Sequence, residues 1–135
     1  MRIAIISAAA RRNGIPAYVK ALAKGMESMG HRADVIDAWT EDGSRLPGYE
    51  YIAAVAESIS IFSGRMPDAI QKILSSVSGI AGRKGAAFLG KTNPFPGKAL
   101  ANLMRIMERE GIVINWSDII LNASHAEILG KRMGA

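Results

Sequence analysis

The 135-residue sequence is 49% hydrophobic and 21% charged, a balance that lets a chain of this size bury one core without cross-links. It contains no cysteine, which excludes disulfides, a thiolate nucleophile and zinc–thiolate sites. Seventeen basic and twelve acidic side chains give a net charge of +5, but the basic residues are scattered and not interleaved with aromatics, so they do not point to nucleic acid.

The opening run Met1 to Ile6 is too short for a signal peptide, and Arg11-Arg12 break the apolar character soon after it. No stretch approaches the roughly 20 apolar residues of a membrane span. A soluble, cytoplasmic protein of one domain, spanning residues 1–135, is the expectation.

Ile3 to Ile6 is apolar and rich in β-branched residues, as in a strand buried on both faces. Ser7 to Pro16 reads as a loop, with Asn13-Gly14 as its turn signal and Pro16 suited to a helix start. Val19, Leu22, Ala23 and Met26 recur at helical spacing, and Gly30 closes that helix. Ala33 to Ala38 predicts a short second strand, and Glu41 to Gly48 a polar loop. Tyr51 to Ala56 predicts a third strand, with a loop after it over Ser58 to Met66. Ile70, Ile73, Leu74 and Val77 mark the next helix.

Gly79, Gly82 and Gly85 lead into a fourth strand over Ala86 to Leu89. A loop over Gly90 to Gly97, with Pro94 and Pro96, precedes the helical stripe Leu100, Leu103, Met104 and Met107. Ile112 to Ile114 begins a fifth strand, which Ile119 to Leu121 either extend or succeed, and His125 to Met133 predicts a last helix. Strands alternating with helices imply a parallel sheet covered on both faces. In such sheets ligands sit beyond the carboxyl ends of the strands, so three loops are expected to converge: Ser7 to Pro16, Ser58 to Met66 and Gly90 to Gly97.

At those loops the sequence resembles the flavodoxins and the flavodoxin-like NAD(P)H-dependent FMN reductases. The strand leading into Ala8-Ala9-Ala10-Arg11-Arg12-Asn13-Gly14-Ile15-Pro16 is similar to their phosphate-loop unit. Ser58-Ile59-Ser60-Ile61-Phe62-Ser63-Gly64-Arg65-Met66-Pro67 is similar to their second flavin loop, and the tail Ile128 to Met133 resembles the end of many flavodoxins.

The resemblance implies a five-stranded parallel sheet in the order 2-1-3-4-5 in a three-layer α/β sandwich. It also implies flavin mononucleotide (FMN) as cofactor, with electron transfer or NAD(P)H-dependent flavin or quinone reduction as the activity of an FMN-dependent oxidoreductase. The flavin-binding residues it implies are Ala9, Arg11, Arg12, Asn13, Gly14 and Ile15 in the first loop. The second loop supplies Ser58, Ser60, Ile61, Phe62 and Gly64, and the third Lys91, Thr92, Asn93 and Phe95, with Phe62 and Phe95 as candidates to cover the two faces of the ring. A flavin or another small anion is the expected ligand, with a redox protein and a second copy of the chain as further partners.

The first loop departs from the family pattern. Ala9 stands where a serine is expected and Pro16 where a threonine is, so two hydroxyl donors to a phosphate are missing. At about 1.5–3 kcal/mol per bond to a charged group, their loss weakens FMN binding by a few powers of ten. Arg11 and Arg12 either compensate through charge-assisted bonds or are solvated. Glu57 stands where a small residue is usual, and either pairs with an arginine of the first loop or disfavours an anionic ligand. A degenerate flavodoxin-like domain without flavin, acting as a binding or interaction module, is therefore the second reading. His31 and His125 lack metal-ligand spacing, and Ser60 and Ser63 lack the context of a hydrolytic nucleophile.

Overall fold

The computed structural model describes residues 1–12, 14–60, 63–90 and 96–133. Its elements in chain order are β1 (Arg2–Ala8), α1 (Ala17–Ser28), β2 (Arg32–Asp37), a 3₁₀ turn (Leu46–Gly48), β3 (Tyr51–Ala56), α2 (Asp68–Ser75), β4 (Lys84–Gly90), α3 (Pro96–Arg109), β5 (Val113–Ile120) and α4 (Ala123–Lys131). The strands form one parallel sheet in the order β2-β1-β3-β4-β5, as the resemblance implies.

The three inner strands have helices on both faces, which is why their sequences are nearly unbroken apolar runs. Alternate residues divide between two cores. Ile3, Ile5, Ala53, Val55, Ala86 and Phe88 pack with Val19, Leu22 and Met26 of α1 and Leu129 of α4. Ala4, Ile6, Ile52, Ala54, Ala87 and Leu89 pack with Ile70 and Leu74 of α2 and Leu103 and Met107 of α3. The many alanines keep the strands thin enough for both helix layers to approach.

Several boundaries differ from the sequence expectation. Ser7 and Ala8 belong to β1, because both are buried and they pair with Val55 and Ala56 of β3. The helix expected to include Val77 ends at Ser75, and Val77 is only partly buried against the core. Gly90 belongs to β4, and α3 begins at Pro96, so the third loop is shorter than its turn residues suggest. The two apolar fragments near the end form one strand, β5, because a bulge interrupts their pattern. Gly85 pairs with Ile114 and Ala86 with Trp116, leaving Asn115 as the extra residue. Beyond the bulge the faces are exchanged, so Ile114 packs in one core and Trp116 in the other, where it meets Phe88 edge to face at 5.0 Å.

Helices α1 and α4 touch backbone to backbone. A Cβ on Gly25 would lie 2.2 Å from the Glu127 carbonyl oxygen, and one on Gly130 would lie 2.3 Å from that of Leu22. Neither obstacle is a flexible side chain, so a methyl group at either site must push the helices apart. Gly25→Ala and Gly130→Ala are each expected to destabilise the fold by about 1–3 kcal/mol, read as a lower urea midpoint with an unchanged slope.

Candidate functional site

The carboxyl ends of the central strands are side by side. Ala8 pairs with Ala56, and Ala56 with Leu89, so the loops after β1, β3 and β4 leave the sheet from adjacent positions. Of the residues expected to bind a ligand there, Asn13, Ile61, Phe62, Lys91, Thr92, Asn93 and Phe95 lie outside the described residues.

In the first loop, Ala9 is buried and its carbonyl oxygen accepts a 2.8 Å hydrogen bond from the Trp39 indole N–H. Arg11 and Arg12 are exposed, and neither makes an ion pair among the described residues. Gly14 has φ +93°, the left-handed conformation that the turn requires and glycine provides. Ile15 packs on the α1–α4 side of the sheet. Pro16 is the N-cap of α1 and offers no side-chain acceptor to the helix's first N–H groups.

The second loop is held by its own polar groups. The Ser58 hydroxyl is buried, donates to the Ser60 carbonyl at 2.7 Å and accepts from the Ser60 N–H at 3.2 Å. The Ser60 hydroxyl meets that of Ser63 and accepts from the Arg65 N–H at 3.1 Å. Gly64, at φ +67°, lies against α3, where a Cβ would come 2.8 Å from the Ala99 nitrogen. The Asn102 side chain adds bonds to the carbonyl oxygens of Ser63 and Gly64 at 3.2 and 3.0 Å. This loop is braced on α3, and the Ser58 and Ser60 hydroxyls both bond to its own backbone.

Among the described residues Glu57 makes no ion pair with an arginine. One carboxylate oxygen accepts from the Ala10 N–H at 2.8 Å, and the other accepts from the Tyr18 hydroxyl at 2.7 Å. Gly90 closes this group from the β4 side, since a Cβ there would fall 2.4 Å from the Tyr18 hydroxyl. Burial first, and the Glu57 carboxylate second, hold the Tyr18 phenol well above its ordinary value of 10.0. A second anion about 4 Å from this carboxylate would meet about 1 kcal/mol of repulsion in water and about 4 kcal/mol near a protein surface. Among the described residues of this loop, the Ala10 N–H is thus turned to Glu57, and Arg11 and Arg12 are the exposed cations.

A cleft of about 520 Å³ opens at the same end, between the first loop, the end of β2 and the start of α2. Arg12, Trp39, Ile59 and Lys72 are among its walls. Trp39 and Tyr18 are absent from the residues expected at the site. The signal for Trp39 is its place directly after β2, which the strand order sets beside β1. Among the described residues no three His, Asp or Glu side chains are grouped to hold a metal, and no helix is long and apolar enough to cross a membrane.

No family model and no curated protein matches this sequence. Solved structures do match over nearly the whole chain. A flavodoxin from the domain Archaea is similar at a TM-score of 0.73 and 18% identity, covering 98% of this chain and 96% of its own. Flavodoxin 1 from Bacillus cereus gives 0.71 and 18%, with 98% and 94% covered. The chain has the flavodoxin fold. A WrbA-like flavodoxin from Agrobacterium tumefaciens shares it at a TM-score of 0.65 and 15% identity, over 97% of this chain and 93% of that one. In this sheet the strand order reverses between β1 and β3, beside the ends from which the first two loops leave.

Because Tyr18 keeps its proton more firmly in the folded protein, its contribution is complete below pH 10 and is lost as pH rises beyond that ordinary value. Tyr51, raised to about 12 by burial, adds a loss of the same sign. Tyr18→Phe is expected to cost about 1–2 kcal/mol at neutral pH and to flatten the alkaline fall in stability, measured by urea unfolding across pH.

Proposed function

We propose that this chain is a flavin-binding redox protein that holds its cofactor weakly at the carboxyl edge of the sheet. The observation that carries this reading is the adjacency of the three loop exits at Ala8, Ala56 and Gly90, with the second loop braced on α3. When bound, a flavin would supply the electron-accepting and electron-donating chemistry, and the protein would orient it and limit water. The loop of Ala9 to Ile15, the loop of Ser58 to Gly64 and the loop of Lys91 to Phe95 are the groups proposed to contact it. Electron transfer, or reduction of a flavin or quinone at the expense of NAD(P)H, is the proposed activity, with a redox protein as the natural partner. The positive net charge suits a partner with an acidic surface.

A second reading, an interaction module without flavin, is favoured by the Glu57 carboxylate on the Ala10 N–H. Protein purified without added cofactor is expected to be mostly colourless and to quench added FMN fluorescence with a Kd of about 1 μM or weaker, equivalent to about −8 kcal/mol or less in magnitude. Stoichiometric yellow protein would overturn the weak affinity. Absence of binding at millimolar flavin would favour the interaction module.

A further inference from the structure

Glu57 comes directly after β3, the strand beside β1, so its side chain stands against the first loop. Its two oxygens take partners from the two ends of that loop: Ala10, two residues past β1, and Tyr18, the second residue of α1. The carboxylate thus sits between the loop's beginning and its end, and an anion bound within the loop would meet its charge. It is half-buried, and Gly90 lies against it, where a Cβ would approach its Cγ to 3.2 Å. The loop's own cations do not neutralise it, since Arg11 and Arg12 are exposed and make no ion pair among the described residues.

A carboxylate accepts hydrogen bonds at about four lone-pair positions. Two of these are engaged among the described residues, and any further partner must be a donor. A phosphate dianion offers none and adds like charge, whereas a sugar-alcohol hydroxyl is a donor with no charge. Resting on the flavin reading, we propose that Glu57 is a specificity residue that makes this site select flavins lacking the terminal phosphate. The ligand class is a neutral isoalloxazine with a polyol side chain, whose hydroxyls complete the acceptor positions of the carboxylate.

The test compares riboflavin and FMN by fluorescence quenching on the full chain and on Glu57→Gln, which keeps the side chain's shape and removes its charge. The unsubstituted protein is expected to bind riboflavin at least as tightly as FMN, and Glu57→Gln to shift the ratio toward FMN by about tenfold, which corresponds to about 1.4 kcal/mol. A preference of about tenfold for FMN in the unsubstituted protein would overturn the assignment of Glu57 and leave the flavin reading standing. An unchanged ratio in Glu57→Gln would do the same. Failure of both flavins to bind either protein would overturn the flavin reading itself.

Inorganic phosphate separates the two ideas without any flavin. Its titration should leave the backbone amide signals of Ala10 and Tyr18 unmoved in the unsubstituted protein and move them saturably in Glu57→Gln. Saturable movement without the substitution would overturn the proposed exclusion. The measurements on the unsubstituted protein decide the matter even if the variant fails to fold.

Discussion

Burial of β1, β3 and β4 on both faces is the constraint on which the rest of this structure depends. A strand covered on one side alternates apolar and polar residues, but these strands have no side on which a polar residue meets water. Every residue of β3 is buried, and so is every residue of β1 after Arg2. Polar chemistry is thereby displaced to the strand ends, where Glu57, Ser58 and the first loop begin. The crevice between β1 and β3 is the place where the chain can present charged and hydrogen-bonding groups next to a rigid support.

The helices that flank the sheet transmit this constraint to the site. Gly25 and Gly130 let α1 and α4 approach to backbone contact on one face of the sheet. Tyr18, on the first turn of the same α1, donates to Glu57. On the other face, Gly64 and Asn102 fasten the second loop to α3. The first two loops are thus tied to elements on either side of the sheet, the first through Tyr18 of α1 and the second through α3. The Trp39 bond to the Ala9 carbonyl adds a third tie, from the end of β2.

Most of the fold is legible in the sequence because apolar runs, helical stripes and glycine stops report burial directly. The presence of β5 is legible but its extent is not, since its bulge at Asn115 places Ile114 and Trp116 on opposite faces and breaks the period of two that identifies a strand. The limits of the loops are also obscure, because Ser7 and Ala8 resemble loop residues in type and are strand residues by pairing. At the site, the missing hydroxyls at Ala9 and Pro16 and the unusual acid at Glu57 stand out in the sequence. Their consequences do not, because Glu57's partners are 47 and 39 residues away and one of them is a backbone N–H that no residue type reveals. Trp39 escapes a reading of the sequence for a similar reason, since its role depends on strand order and not on a local motif.

The net charge of +5 and the single carboxylate of Glu57 act at different ranges, and that difference decides what each can govern. Charges spread over a surface act on an approaching molecule through solvent, where salt screens them beyond about 8 Å. They raise the rate at which anions arrive without fixing where these stay. Glu57 acts at hydrogen-bond distance from the loop, partly shielded from water, where the same unit of charge interacts several times more strongly. A positive net charge with a carboxylate in the crevice is thus no contradiction. On the proposed reading, the net charge would favour encounter with acidic partners, while Glu57 would favour ligands that donate hydrogen bonds and carry no negative charge at that point. Reading the ligand from net charge alone would give the opposite sign from the one the local geometry supports.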